Sequence, residues 1–216
     1  MNGNIYLIGG GEIGSGETKL IDDFVLTNYK KSGLVLFIGA ASGDSEAYFE
    51  TFKKVYGADN ETIFITMKCS KDEFIRTTKK AKIIYLGGGS TDLLLIQLKE
   101  WDADKIFATL IKNGTDIVGM SAGAYVLTKN YLHEENGCFT ILKGLGIISA
   151  TILVHATTKA ETESLKVIKL TNINDSFVSI SERSALIVSN EKTTIIGDGK
   201  ISRYDFKNSN SIKFAF

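Results

Sequence analysis

Proline is absent from this sequence, and cysteine and histidine occur only twice each. Without proline, the turns must be made by Gly, Asn, Asp and Ser. Cys69 and Cys138 form no C-x-x-C pair, so we expect two buried, free thiols rather than a disulfide or a metal pair. The chain also lacks an H-E-x-x-H motif, and no metal or organic cofactor is expected.

An excess of one charge is also missing, since Lys plus Arg and Asp plus Glu both number 25. Chains that bind nucleic acid usually carry a basic surplus or a basic run, so no nucleic-acid partner is expected. No apolar run approaches the roughly 18 residues of a membrane span. The opening MNGNIYLIGGG has neither the charged region nor the long apolar region of a signal peptide. We therefore expect a cytoplasmic protein without a membrane partner.

Strands rich in β-branched residues alternate with amphipathic helical stretches over the first 120 residues. This alternation predicts a parallel, doubly wound sheet that is buried on both faces. From about residue 131 short strands dominate, and we interpret them as an antiparallel extension of the same sheet. Residues 190–192 (Asn-Glu-Lys) and the pair Asp198 and Gly199 are predicted hairpin turns. No linker or repeat is present, so a single domain over residues 1–216 is predicted.

Small residues follow four of the predicted strands, at residues 9–16, 39–43, 87–90 and 119–123. Ligands of open α/β sheets bind where such loops leave the carboxyl ends of the strands. Residues 119–123 (GMSAG) fit the G-x-S-x-G pattern between a strand and a helix, which is the context of a nucleophile elbow. Ser121 is therefore the candidate nucleophile.

A serine hydroxyl needs a base, and the two histidines are the candidates. His155 ends the apolar run ATILVH, at a strand end, whereas His133 lies in YLHEENG, which we interpret as a solvent-exposed loop. His155 is therefore the preferred base. Its carboxylate partner is predicted to be Glu182, which follows the strand FVSIS, in preference to the pair Glu134 and Glu135.

The segments LGGGSTDLLLIQL, GMSAGAYV, LGIISATILVHA and SISERSALIV occur in that order. They resemble the aspartyl dipeptidase (peptidase E) family of serine peptidases, which also includes cyanophycinase. The resemblance implies the class I glutamine-amidotransferase-like fold, a three-layer α/β/α sandwich with a mostly parallel sheet and antiparallel C-terminal strands. It also implies that Ser121 is the nucleophile, His155 the base and Glu182 the carboxylate.

The same resemblance implies an oxyanion hole made by the backbone N–H groups of Gly88 and Ala122. Gly89 is included as a neighbour, because the triple glycine leaves the register open. Three successive glycines allow the backbone to approach a substrate without a Cβ in the way.

The sequence departs from the resemblance where a substrate would bind. Many relatives have Asn where this chain has Ser90, and they carry an arginine-rich segment after the histidine. Residues 156–167 here contain no arginine. Since the guanidinium fork suits carboxylates, aspartyl specificity does not follow for this chain. Ser90, Lys159 and Arg183 are the candidate substrate-binding residues.

These residues predict a serine hydrolase, a dipeptidase-like enzyme that cleaves short peptides through an acyl-enzyme. The alternative is an inactive family member that binds a small molecule or a peptide. A G-x-G-x-x-G match at residues 9–14 would suggest a dinucleotide site, but the second strand ends without an acidic residue for the ribose. An apolar surface strand could pair two copies, so a homodimer stays an alternative to a monomer.

Overall fold

The computed structural model of the protein describes residues 2–27, 33–171, 173, 175–189, 192–207 and 210–215. The strands are β1 (Ile5–Ile8), β2 (Leu34–Ile38), β3 (Glu61–Ile65), β4 (Ala81–Leu86), β5 (Asp116–Met120), β6 (Thr128–Glu135), β7 (Cys138–Lys143), β8 (Ile148–Leu153), β9 (Ser176–Ile180), β10 (Ser184–Ser189), β11 (Lys192–Gly197), β12 (Ile201–Lys207) and β13 (Asn210–Ala215). The helices are α1 (Lys19–Thr27), α2 (Glu46–Tyr56), α3 (Lys71–Thr78), α4 (Thr91–Glu100), α5 (Ala103–Lys112), α6 (Ala122–Leu127) and α7 (Thr158–Leu170).

The first sheet has the strand order β11-β10-β1-β5-β4-β2-β3. Its strands β1, β5, β4, β2 and β3 pair in parallel, while β10 and β11 are antiparallel at one edge. Ile5 and Leu7 pack into one hydrophobic core, and Tyr6 and Ile8 pack into a second core on the opposite face. Helices α3 to α6 contribute to the first core, and α1 and α2 to the second. The predicted doubly wound α/β fold is confirmed.

The expectation that all later strands extend this sheet is wrong. Only β10 and β11 do so, whereas a second sheet has the order β13-β12-β9-β8-β6-β7. Its strands β6, β8 and β9 pair in parallel, and β7 and β12 flank them in antiparallel orientation. Side-chain alternation tells which face of a strand is buried but not which strand it pairs with, so the sequence pattern could not separate the two sheets.

One predicted turn and one predicted loop differ from the structure. Asp198 and Gly199 do not close a hairpin, because β11 pairs with β10 while β12 pairs with β9 and β13; they carry the chain from one sheet to the other. His133 lies on strand β6, opposite Thr140, and not in a loop, although its side chain is exposed as expected. The other predicted turn covers residues 190–192, and two of these, 190 and 191, lie outside the described residues.

The hairpin of β6 and β7, which the sequence analysis does not predict, is closed by a recognisable turn. Asn136 and Gly137 connect its strands, and both have positive φ, 52° and 80°. An Asn-Gly pair of this kind favours a tight two-residue hairpin turn.

Cys138 follows the turn and is exposed, so its predicted burial is wrong, while Cys69 is half-buried and both thiols are free. Burial raises the pKa of the Cys69 thiol to about 11. Among the described residues, no helix is long and apolar enough to cross a membrane.

Candidate active site

Ser121 occupies the bend between β5 and α6, with φ 52° and ψ −107°. Such a conformation is strained for a residue other than glycine and recurs at functional sites. The two flanking glycines pack so closely against neighbouring backbone that no side chain would fit at either position. A Cβ on Gly119 would lie 2.5 Å from the Gly123 backbone, and a Cβ on Gly123 would lie 2.2 Å from the Leu86 carbonyl oxygen. The G-x-S-x-G pattern therefore reflects close backbone contact on both sides of the serine.

The structure brings the three predicted side chains together. Ser121 Oγ lies 2.6 Å from His155 Nε2, and the His155 Nδ1 atom is hydrogen-bonded to Glu182 Oε1. His155 and Glu182 each lie two residues beyond the ends of β8 and β9, which are neighbouring parallel strands. Carboxyl ends of parallel strands meet at one edge, so the two side chains lie side by side. Glu134 and Glu135 are on β6 instead, and within the described part of the chain the recorded hydrogen bonds of the imidazole go to Ser121 and Glu182.

The glycine loop after β1 lies beneath this pair. The Gly9 carbonyl oxygen accepts a hydrogen bond from the His155 N–H at 2.9 Å, and the Gly10 carbonyl oxygen accepts one from the Arg183 N–H at 3.0 Å. A Cβ on Gly10 would lie 2.2 Å from Glu182 Oε2 and 2.6 Å from the His155 ring. These glycines thus support the His–Glu pair, a role that the sequence reasoning missed although the G-G-G motif is conspicuous.

The backbone around the proposed oxyanion hole runs close to the serine. A Cβ on Gly88 would be 3.5 Å from the Cβ of Ser121. Gly89 has φ 132°, and a Cβ there would lie 2.2 Å from the Ala41 carbonyl oxygen. Ala122 is the first residue of α6, where N–H groups have no partner within the helix. The Gly88 N–H donates to the Tyr48 hydroxyl at 3.4 Å.

Two cavities adjoin the serine. The larger, of about 950 Å³, is lined by the glycine loop, α2 and the Gly88–Gly89 backbone, and its charged lining includes Glu12, Glu17 and Arg183. The Arg183 Nε atom lies 3.3 Å from Asp198 Oδ1, so its charge is already paired. The smaller cavity, of about 390 Å³, also borders Ser121 and His155 and is lined by Asp92 and Glu134, among others.

The three candidate substrate-binding residues have different surroundings. Arg183 lines the larger cavity. Ser90 lines the smaller one, but its hydroxyl accepts the Leu93 N–H and caps helix α4. Lys159 is exposed in the first turn of α7 and lines neither cavity. The structure thus brings Arg183 and Ser90 to the site and leaves Lys159 outside it.

Tyr125 is a contributor that the sequence did not reveal. Its hydroxyl, on helix α6, accepts the Val154 N–H at 3.3 Å, directly before His155. Burial raises the pKa of Tyr125 to about 12, so the hydroxyl stays neutral. The helix that follows the serine is thereby tied to the strand end that carries the histidine. Nothing in the sequence around Tyr125 marks it for this role.

A serine at a strained elbow, joined to an imidazole and a carboxylate at the strand ends of an α/β sheet, is typical of serine hydrolases. Comparison with known families is more specific, because residues 5–196 match the model of peptidase family S51. The chain belongs to that family and is a serine-type peptidase, so the resemblance seen in the sequence is confirmed.

Individual relatives agree with this assignment. The chain is 30% identical over 155 residues to the uncharacterized peptidase YgaJ of Bacillus subtilis strain 168, covering 70% of this chain and 67% of YgaJ. It is 36% identical over 67 residues to the uncharacterized peptidase Lin0382 of Listeria innocua serovar 6a, covering 31% of this chain and 32% of Lin0382.

Two solved structures share the fold. A peptidase from an acI-B1 Actinobacterium superposes with a TM-score of 0.66 at 23% identity, covering all of this chain and 95% of that one. A Listeria monocytogenes EGD-e protein named after peptidase E gives a TM-score of 0.67 at 20% identity, covering 91% and 98%.

Proposed function

We propose that this peptidase cleaves short peptides with Ser121 as nucleophile, His155 as general base and Glu182 as the carboxylate that orients the imidazole. The observation that carries the proposal is the 2.6 Å hydrogen bond between Ser121 Oγ and His155 Nε2. A hydroxyl becomes a useful nucleophile when a base lies within about 2.6–3.2 Å of it. Glu182 contacts the other ring nitrogen, and this fixes the tautomer that leaves Nε2 free to accept a proton.

In the first half of the reaction, Ser121 Oγ attacks the scissile carbonyl carbon and its proton moves to His155 Nε2. The electron pair of the C=O bond moves to the oxygen and forms the oxyanion. His155 then gives the proton to the leaving amine as the C–N bond breaks, and an acyl-enzyme remains. In the second half, His155 takes a proton from water while the water oxygen forms a bond to the acyl carbon. The bond between that carbon and Ser121 Oγ then breaks, His155 returns the proton to Oγ, and the acid leaves.

Backbone N–H groups of Gly88 and Ala122 are the proposed donors to the oxyanion. Both residues lie against the serine, one two residues after the end of β4 and one at the start of α6. A preorganised donor of this kind contributes roughly 3–4 kcal/mol to transition-state stabilisation in comparable sites. Gly89, with its positive φ and no side chain, allows the backbone after Gly88 to pass close to Ala41.

The charges around the site argue against a strong preference for acidic peptides. Glu12 and Glu17 line the larger cavity, and Arg183 there is already paired with Asp198. Like charges repel a substrate carboxylate, and a paired guanidinium attracts it less than a free one. We therefore propose a dipeptidase-like activity without aspartyl specificity.

A dipeptide panel tests this proposal. The purified chain is incubated with dipeptides whose first residue is Asp, Asn, Gly, Ala or Lys, and the released amino acids are quantified. We expect Gly, Ala or Lys peptides to be cleaved faster than the Asp peptide, and the Ser121→Ala variant to cleave none of them. Cleavage by Ser121→Ala at the wild-type rate would refute the mechanism. A much faster reaction with the Asp peptide would refute the proposed specificity alone.

A further inference from the structure

Tyr48 lines the larger cavity together with Ser121, and the sequence gives no sign of a role for it there. Its oxygen accepts the N–H of Gly88 at 3.4 Å, and this N–H is one of the two proposed oxyanion donors. Tyr48, Gly88 and Ser121 line the same cavity. This contact is at the long end of hydrogen-bond distances, so the Tyr48 hydroxyl and the Gly88 N–H can change partners when a substrate binds.

The ring of Tyr48 is held in a fixed position. It packs edge-on against Phe37, with ring centroids 5.0 Å apart. Its backbone N–H donates to the Ser45 side chain that caps helix α2. A Cβ on Gly87 would lie 3.3 Å from a ring carbon, so the backbone that leads to Gly88 runs directly over the ring. These contacts restrict where the ring lies, and with it the hydroxyl that faces Gly88.

The hydroxyl proton is available for a further hydrogen bond. The oxygen uses a lone pair to accept from Gly88, and within the described part of the chain the structure records no protein acceptor for the proton itself. Burial raises the pKa of Tyr48, so the group stays protonated at neutral pH.

We propose that Tyr48 is a catalytic residue whose hydroxyl donates a hydrogen bond to the oxyanion, as a third donor beside Gly88 and Ala122. The inference rests on the proposed function. When the bond between Ser121 Oγ and the carbonyl carbon forms, the proton of the serine moves to His155 and negative charge develops on the carbonyl oxygen. Tyr48 keeps its proton throughout and stabilises that charge through the hydrogen bond.

A fluorophosphonate probe tests this role without knowledge of the natural peptide. The serine oxygen forms a bond to phosphorus, fluoride leaves, the serine proton goes to His155, and the phosphoryl oxygen occupies the oxyanion position. We expect Tyr48→Phe to slow phosphonylation of Ser121 by about 100-fold, as removal of one oxyanion donor does. The effect should fall on the maximal rate at saturating probe, with little change in probe affinity.

Tyr85→Phe is the matched control. Tyr85 is fully buried, stacks on the same Phe37 at 6.0 Å, and its hydroxyl has no hydrogen-bond partner among the described residues. We expect this variant to react within twofold of the wild-type rate. The rate constant is taken from the time course, and the final labelled fraction reports how much protein is folded. A partly unfolded variant therefore still gives a valid rate.

Each outcome decides a separate point. Wild-type rates in Tyr48→Phe, with Ser121 labelled in both proteins, would overturn the role of Tyr48 and leave the proposed function intact. Equal slowing in Tyr48→Phe and Tyr85→Phe would also overturn it, because the loss would then come from packing. Absence of labelling in the wild-type chain would overturn the proposed function and the role of Tyr48 with it.

Discussion

Several glycines of this site make room for a neighbouring group as well as for a turn. Gly10 has φ 144°, and a Cβ there would collide with both Glu182 and His155. Gly16 also has a positive φ, 78°, but a Cβ at that position would meet nothing within 4 Å. A side chain at either position would be strained by the positive φ, but only at Gly10 would it also meet neighbouring groups. The two positions therefore separate the effect of strain from the effect of contact.

Replacing Gly10 by Ala should therefore lower kcat for peptide hydrolysis by about 100-fold, since displacing catalytic groups by about 1 Å can have that effect. Gly16→Ala should lose ~1–3 kcal/mol of stability through backbone strain, but it should keep most of its activity. Steady-state kinetics and melting temperatures of both variants make the comparison. Equal activity in the two variants would show that the Gly10 contacts do not matter.

Much of the site could be predicted from single residues, because the chemistry leaves a pattern. Ser121 stands in G-x-S-x-G, and His155 and Glu182 follow apolar runs that end strands. Tyr48 and Tyr125 could not be predicted in this way. Each acts through a hydroxyl that reaches a backbone N–H on a distant segment, and no local pattern marks such a contact.

The helical elements are well marked in the sequence, and their caps show why. Ser70 caps α3 and Ser90 caps α4, each accepting an N–H three residues on at 3.3 Å. Ser70 with Glu73 already forms a capping-box pattern in the sequence. Strand β6 is less well marked, because its polar end resembles a loop, and only the Asn-Gly pair after it indicates a hairpin.

The two caps provide a test of what Ser90 does. Ser90→Ala and Ser70→Ala should each cost about 1 kcal/mol, which lowers the melting temperature by roughly 2–4 °C for a chain of this size. KM for a cleaved dipeptide should stay unchanged in both variants, because we interpret Ser90 as a cap. A raised KM in Ser90→Ala alone would show instead that Ser90 binds substrate, which is the role expected for it in the sequence analysis.

At the scale of the whole molecule, the proposed triad is divided between two sheets. Ser121 follows β5 of the first sheet, whereas His155 and Glu182 follow β8 and β9 of the second. Ile152, Val178 and Ile180 of the second sheet share a hydrophobic core with Ile5 and Leu7 of the first. The doubly wound layer was predictable from strand–helix alternation, but the second sheet was not. The cytoplasmic location and the homodimer remain predictions.

If residues 1–216 form the single domain that the sequence predicts, the two sheets should unfold together. Trp101, the only tryptophan of the chain, is buried and stacked on Phe74 beside the first sheet. Its fluorescence, the far-ultraviolet circular dichroism and the labelling of Ser121 by a short fluorophosphonate pulse should change with the same midpoint in urea. A dichroism change or loss of labelling at clearly lower urea than the fluorescence change would indicate two separate units.

The rate at which Ser121 is phosphonylated, followed by mass spectrometry in a set of variants, tests most directly whether three distant residues act as one catalytic unit. We predict that His155→Ala slows the reaction by about 1000-fold and Glu182→Gln by at least about 100-fold. The double change of Glu134 and Glu135 to Gln, which removes the rival carboxylates, should leave the rate unchanged. Normal labelling in His155→Ala, or slowing by the Glu134 and Glu135 changes but not by Glu182→Gln, would contradict the account.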